Sequence, residues 1–137
     1  MRISLNKTYL LLFLLLPLLL FAQDRKILII AEADSLPYNS DVYIVGGRSD
    51  LGYWTRHQKM RRESENKWIY DLSAKSGDTL QFKFTRGDWS TEAVDSNGME
   101  FPNFIHIVRS DTTLRYKFLK WRNQVQQKII LITPSVL

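Results

Sequence analysis

A chain of 137 residues that is 45% hydrophobic and 24% charged has room for one folded domain, and without cysteine it makes no disulfides and no thiolate metal site. Two histidines, His57 and His106, with no His-x-x-x-His spacing, exclude a His-rich metal centre, so neither metal nor cofactor is expected. The net charge of +5 includes Arg2 and Lys7 of an N-terminal leader; the remaining 115 residues hold 17 basic and 14 acidic side chains, a net +3 that bears on solubility and gives no reason to expect nucleic acid.

Residues 1–22 read as a secretory signal peptide: a basic start, an apolar run from Tyr9 to Phe21, and Ala22 before Gln23. The run is shorter than the roughly 18 residues of a membrane span, so no stable span is expected. Leu20 departs from the small-x-small cleavage rule, which leaves retention as an uncleaved anchor as the alternative. An exported, cysteine-free domain points to the bacterial periplasm or the extracellular space.

The mature chain predicts short strands. Lys26 to Ala33 and Asp41 to Gly46 are apolar on both faces, and Pro37 with Asn39-Ser40-Asp41 turns the chain between them. Gly46-Gly47 opens a loop carrying Leu51-Gly52-Tyr53-Trp54, and the basic run His57 to Arg62 predicts a short strand or edge. Trp68, Tyr70 and Leu72 alternate with Lys67, Ile69 and Asp71, and Leu80, Phe82 and Phe84 alternate with polar neighbours after the Ser76-Gly77-Asp78 turn. Asn97-Gly98 predicts a tight hairpin after Thr91 to Val94, with both turn residues at positive φ and Trp89 near its tip. Phe104 to Val108, with Ile105 and Ile107 opposite His106, and Thr112 to Trp121 complete the set.

Seven or eight such strands without helical periodicity predict an all-β, immunoglobulin-like sandwich over residues 23–123 with antiparallel-type pairing. Residues 124–137 end in the apolar, β-prone QKIILITPSVL, which either adds an edge strand or docks on another domain.

Catalytic chemistry is sparse. There is no Gly-x-Ser-x-Gly elbow, and Glu92 with Asp95, flanking a turn, are expected to be solvated carboxylates. Arg86-Gly87-Asp88 is expected to be a strand end and a turn, and Arg115 and Lys117 to lie on a solvated sheet face.

Five pieces in register, Val42-Tyr43-Ile44-Val45-Gly46, Leu51-Gly52-Tyr53-Trp54, Trp68, Gly77 to Phe84 and Pro102-Asn103, resemble the starch-binding domain, the family 20 carbohydrate-binding module. The variant with Arg86-Gly87, Trp89, Glu92 and Gly98 is similar to modules beside hydrolase or esterase domains in exported bacterial proteins. The resemblance implies a main site that stacks glucose rings on two tryptophans, with Trp54, Lys83 and Asn103 in the matching positions, and a second site at Tyr38 and Trp68. It departs at the second tryptophan: Glu92 and Ala93 stand in the matching region and Phe104 replaces an arginine. Trp89 is then either a substitute platform or a packing residue. Trp54 is a site or a plug over the sandwich end, Lys83 a donor or a solvated charge, Asn103 a contact or a turn cap, and Trp68 is favoured as core. The expected function is a non-catalytic module for starch or related α-glucan; the alternative is an interaction domain that has lost sugar binding and docks on a partner hydrolase or esterase.

Overall fold

The structure is a computed structural model that describes residues 24–34, 36–37 and 39–125. The leader, Tyr38 and residues 126–137 of the apolar tail lie outside the described residues.

Ten strands form the described fold: β1 (Asp24–Ala33), β2 (Tyr43–Gly46), β3 (Gln58–Lys59), β4 (Arg61–Ser64), β5 (Lys67–Lys75), β6 (Thr79–Thr85), β7 (Ala93–Val94), β8 (Phe104–Ile107), β9 (Thr112–Phe118) and β10 (Lys120–Trp121). One sheet runs β4-β5-β1-β9 and the other β3-β2-β6-β8, while β7 and β10 form a small separate ladder. This is the all-β sandwich expected, with one pairing of the other sense: β1 and β9 are parallel, Ile27 opposite Thr112 through Ala33 opposite Phe118. The strand β1, flanked by β5 and β9, has both edges hydrogen-bonded, and Ile30 on its second face is only 3% exposed. Central placement explains why its sequence is apolar in both phases.

The core lies between the sheets. Phe82 and Phe84 of β6 meet Tyr116 and Phe118 of β9, with centroid distances of 5.6 Å for Phe82 to Tyr116 and 4.8 Å for Phe84 to Phe118. Phe104 of β8 joins them 4.6 Å from Tyr116, an aromatic cluster whose tilted and edge-on contacts suit the ring quadrupoles.

The basic run His57 to Arg62 is two strands in different sheets. Lys59 pairs with Tyr43 and Arg61 with Ile69; Met60 between them is buried and donates its N–H to the Val42 carbonyl. Met60 is the one apolar residue of that run, and burying it carries the chain around the corner from one sheet to the other.

The turn after β7 also differs from expectation. Asp95 accepts the N–H groups of Asn97 at 2.8 Å and Met99 at 2.9 Å, and Gly98 alone takes the left-handed conformation, at φ 83°. The Asp95 carboxylate thus organises a longer reversal that needs only one left-handed residue. Val125 packs against Gly98, 2.9 Å from where a Cβ would stand. Thr91 belongs to a single 3₁₀ turn, Trp89–Thr91, that Asp88 caps by accepting the Ser90 N–H at 2.8 Å.

Candidate functional site

Trp54 stands on an unusual backbone. Gly52, Tyr53 and Trp54 have φ of 80°, 50° and 62°, a run of left-handed residues of which only the first is glycine. A side chain at Gly52 would meet the Arg56 carbonyl oxygen at 1.8 Å, so that position accepts none. The Tyr53 and Trp54 N–H groups bond to the carbonyls of Arg48 at 3.0 Å and Gly46 at 2.8 Å, and buried Leu51 anchors the loop in the core. Each non-glycine residue held this way costs roughly 1–2 kcal/mol, and strain of this kind clusters at ligand sites.

The capped 3₁₀ turn after β6 brings Trp89 to the same place. The two indoles are 6.5 Å apart with 26° between their planes, and Trp89 is 37% exposed. Residues separated by 35 positions thus make one aromatic surface. His57 supports it: its ring lies 5.1 Å from Trp89 at 72°, and its Nδ1 is 2.8 Å from the Thr85 hydroxyl. Burial lowers the basicity of His57, and Asp88 opposes that effect. Sequence reasoning weighed His57 only as a metal ligand; its role as neighbour of Trp89 had no local signal.

Lys83 is not a free solvated charge. Its ammonium lies 2.5 Å from Glu92, and the two side chains are 14% and 3% exposed. Arg122 binds the other oxygen of Glu92 and also Glu100, at 2.5 Å. The expectation of a solvated Glu92 is therefore overturned: the segment after Trp89 turns inward as β7, and a carboxylate buried there needs its two cations. Asn103 is exposed just before β8, and continuing the register past the Phe82–Phe104 pair sets it opposite Lys83.

Of the second expected site, Tyr38 lies outside the described residues and Trp68 is turned inward. Trp68 has no exposed surface and belongs to the core, with the Arg62 guanidinium over its ring at 5.2 Å. The β5 alternation that carries Leu72 inward carries Trp68 with it, so the ring offers no face to a ligand. A hollow of about 310 Å³ is lined nearby by Leu36, Pro37, Asn39, Arg62, Glu65 and Asn66. Arg86 is spent on Ser40, Asn123 and the Trp121 ring, which gives the Arg-Gly-Asp tripeptide a structural role.

The starch binding domain family matches residues 26–103. No curated protein sequence is significantly similar to the chain. Among solved structures, the glycoside hydrolase family 15 glucoamylase from Hypocrea jecorina matches with TM-score 0.54 and 17% identity over 72% of this chain and 17% of its own. The gamma-CGTase from alkalophilic Bacillus clarkii matches with TM-score 0.52 and 22% identity over 74% of this chain and 15% of its own. At those identities the likeness is one of fold, and the chain corresponds to about a sixth of either enzyme.

Proposed function

The chain belongs to the starch-binding domain family, a family of non-catalytic carbohydrate-binding modules, and on that premise we propose that it binds α-glucan through Trp54 and Trp89. The observation that carries this reading is the paired indoles, 6.5 Å apart and within 26° of parallel, on two strained or capped loops that converge from different parts of the chain. Flat indole faces bury the apolar C–H face of a glucose ring while its hydroxyls stay free for hydrogen bonds. Trp89 serves as the second platform where the family's usual position holds Glu92 and Ala93. Lys83 gives one N–H to Glu92 and keeps two for sugar hydroxyls; Asn103, exposed and able to donate and accept, is the family's second polar contact.

The relatives matched in fold, a glucoamylase and a gamma-CGTase, are several times longer, which supports a role for this module in holding a hydrolase or esterase partner on its glucan. Residues 1–22 direct export to the periplasm or beyond, residues 23–123 are the binding module, and residues 124–137 dock on that partner or extend a sheet edge. Among the described residues no helix is long and apolar enough to cross a membrane.

Calorimetric titration with maltoheptaose and retention on insoluble starch test the reading. Weak, saturable binding is expected, and Trp54→Ala should abolish it while leaving thermal unfolding nearly unchanged, because the ring is partly exposed. A wild-type chain that neither binds maltoheptaose nor is retained on starch overturns it.

A further inference from the structure

We propose that His57 is a positioning residue for the aromatic surface, its neutral imidazole, tied to Thr85, holding the Trp89 indole alongside Trp54. In its sugar-binding consequence this rests on the function proposed above; in its structural part it stands alone.

Trp89 needs an external support. The 3₁₀ turn that carries it buries none of its own residues, so intrinsic packing does not set the indole's angle. The rings beside it are Trp54, stacked on it, and His57, edge-on to it. The support in turn is fixed from beneath. Thr85 is fully buried on β6, and its hydroxyl oxygen accepts the Gly87 N–H at 3.2 Å while lying 2.8 Å from His57 Nδ1. The hydroxyl proton in turn needs an acceptor, and an unprotonated Nδ1 at 2.8 Å supplies one. An imidazolium carries a proton there instead, and the Thr85 hydroxyl proton then loses its acceptor inside the protein.

The surrounding charges do little to reverse this preference. Burial is the main influence on His57 and Asp88 the opposing one, and the Asp88 carboxylate is already committed to the Ser90 N–H and hydroxyl. On the same sheet face, Lys59 is paired with Asp41 and Lys83 with Glu92; Tyr43 lies across from both Thr85 and Lys59. Arg86, next to Thr85, is held by Ser40 and Asn123, and Arg56 beside His57 is exposed. Protonation should therefore loosen His57 from Thr85 and free Trp89, so the sugar surface is assembled at neutral pH and weakened in acid.

The test is intrinsic tryptophan fluorescence of the full chain between about pH 4.5 and about pH 8, since an imidazolium against an indole quenches emission that a neutral imidazole leaves intact. The expected result is a one-proton fall in emission with a midpoint below about 6.5, the ordinary histidine value. It should vanish in His57→Gln and, separately, in Trp89→Phe. A flat wild-type curve overturns the proposal, as does a transition that persists in either folded variant. Titration with maltoheptaose supplies the functional arm: wild-type affinity should weaken by about threefold or more at the acid end, as linkage between protonation and binding requires, and His57→Gln should lose that dependence. A chain that shows the fluorescence transition but binds no maltoheptaose at any pH sinks the sugar-site reading alone. Binding without the transition sinks the positioning role alone.

Discussion

At the scale of single residues, Glu92 is the most constrained side chain near the candidate site. It is 2% exposed and faces two cations, Lys83 and Arg122, of which the second also reaches Glu100. Removing one member of a buried ion pair costs more than the pair contributes, because the partner charge stays behind without compensation. Glu92→Ala is therefore expected to destabilise the fold by about 3 kcal/mol, toward the lower end for such a loss because Lys83 and Arg122 retain some solvent. Urea denaturation reads this directly, and Glu92→Gln, which keeps the shape and one of the two acceptor oxygens, should lose less. An alanine variant with unchanged midpoint would mean that Glu92 is a bystander.

At the scale of elements, the loop between β2 and β3 and the turn after β6 do the positioning. The run Gly52-Tyr53-Trp54 is held left-handed by backbone bonds to Arg48 and Gly46 and by Leu51 in the core. Two opposite effects follow from one cause. Gly52→Ala should destabilise by about 2 kcal/mol or more, since it adds positive-φ strain to a clash with the Arg56 carbonyl. Tyr53→Gly, at an exposed ring with φ 50°, should stabilise by roughly 0.5–1 kcal/mol by relieving the same strain. Thermal or urea unfolding of the two variants checks both signs. The strands were mostly legible beforehand, since the period-two pattern of Leu80, Phe82 and Phe84 depends only on which residues face the core. The split of His57 to Arg62 into β3 and β4 was not, because Met60 reads as one apolar residue in a basic run until two sheets exist for it to lie between.

For the whole molecule, the titrating groups combine into one pH profile. His57 is depressed below 6.5 by burial, so its contribution is full above that value and is lost as pH falls through the lowered one. Asp41, held down chiefly by its bond to Lys59, and Asp88, held down by Ser90, lose their contributions further into acid, below their ordinary value of 3.8. On the alkaline side, Tyr70 and Tyr116 are raised above 10.0 by burial, and Lys59 is raised above 10.5 by Asp41. These are fully stabilising below those values and fail as pH climbs past them. The thermal midpoint should thus form a plateau from about pH 6.5 to about pH 10 and fall on both sides. A maximum in acid solution would contradict these assignments.

What the sequence determined by itself was the sandwich, its core phases and the loop that carries Trp54, because alternation and turn chemistry are written residue by residue. The resemblance further singled out Lys83 and Asn103, each the next residue beyond the Phe82–Phe104 pair that ends the β6–β8 ladder. Only the tertiary structure decided the rest: that Trp89 stacks on Trp54 with His57 against it, that Lys83 is answered by a buried Glu92, and that β1 and β9 run parallel. Each of these joins residues far apart in the chain. Their pairing depends on where the loops converge once the two sheets have closed on their core, and no local pattern of side chains carries that information.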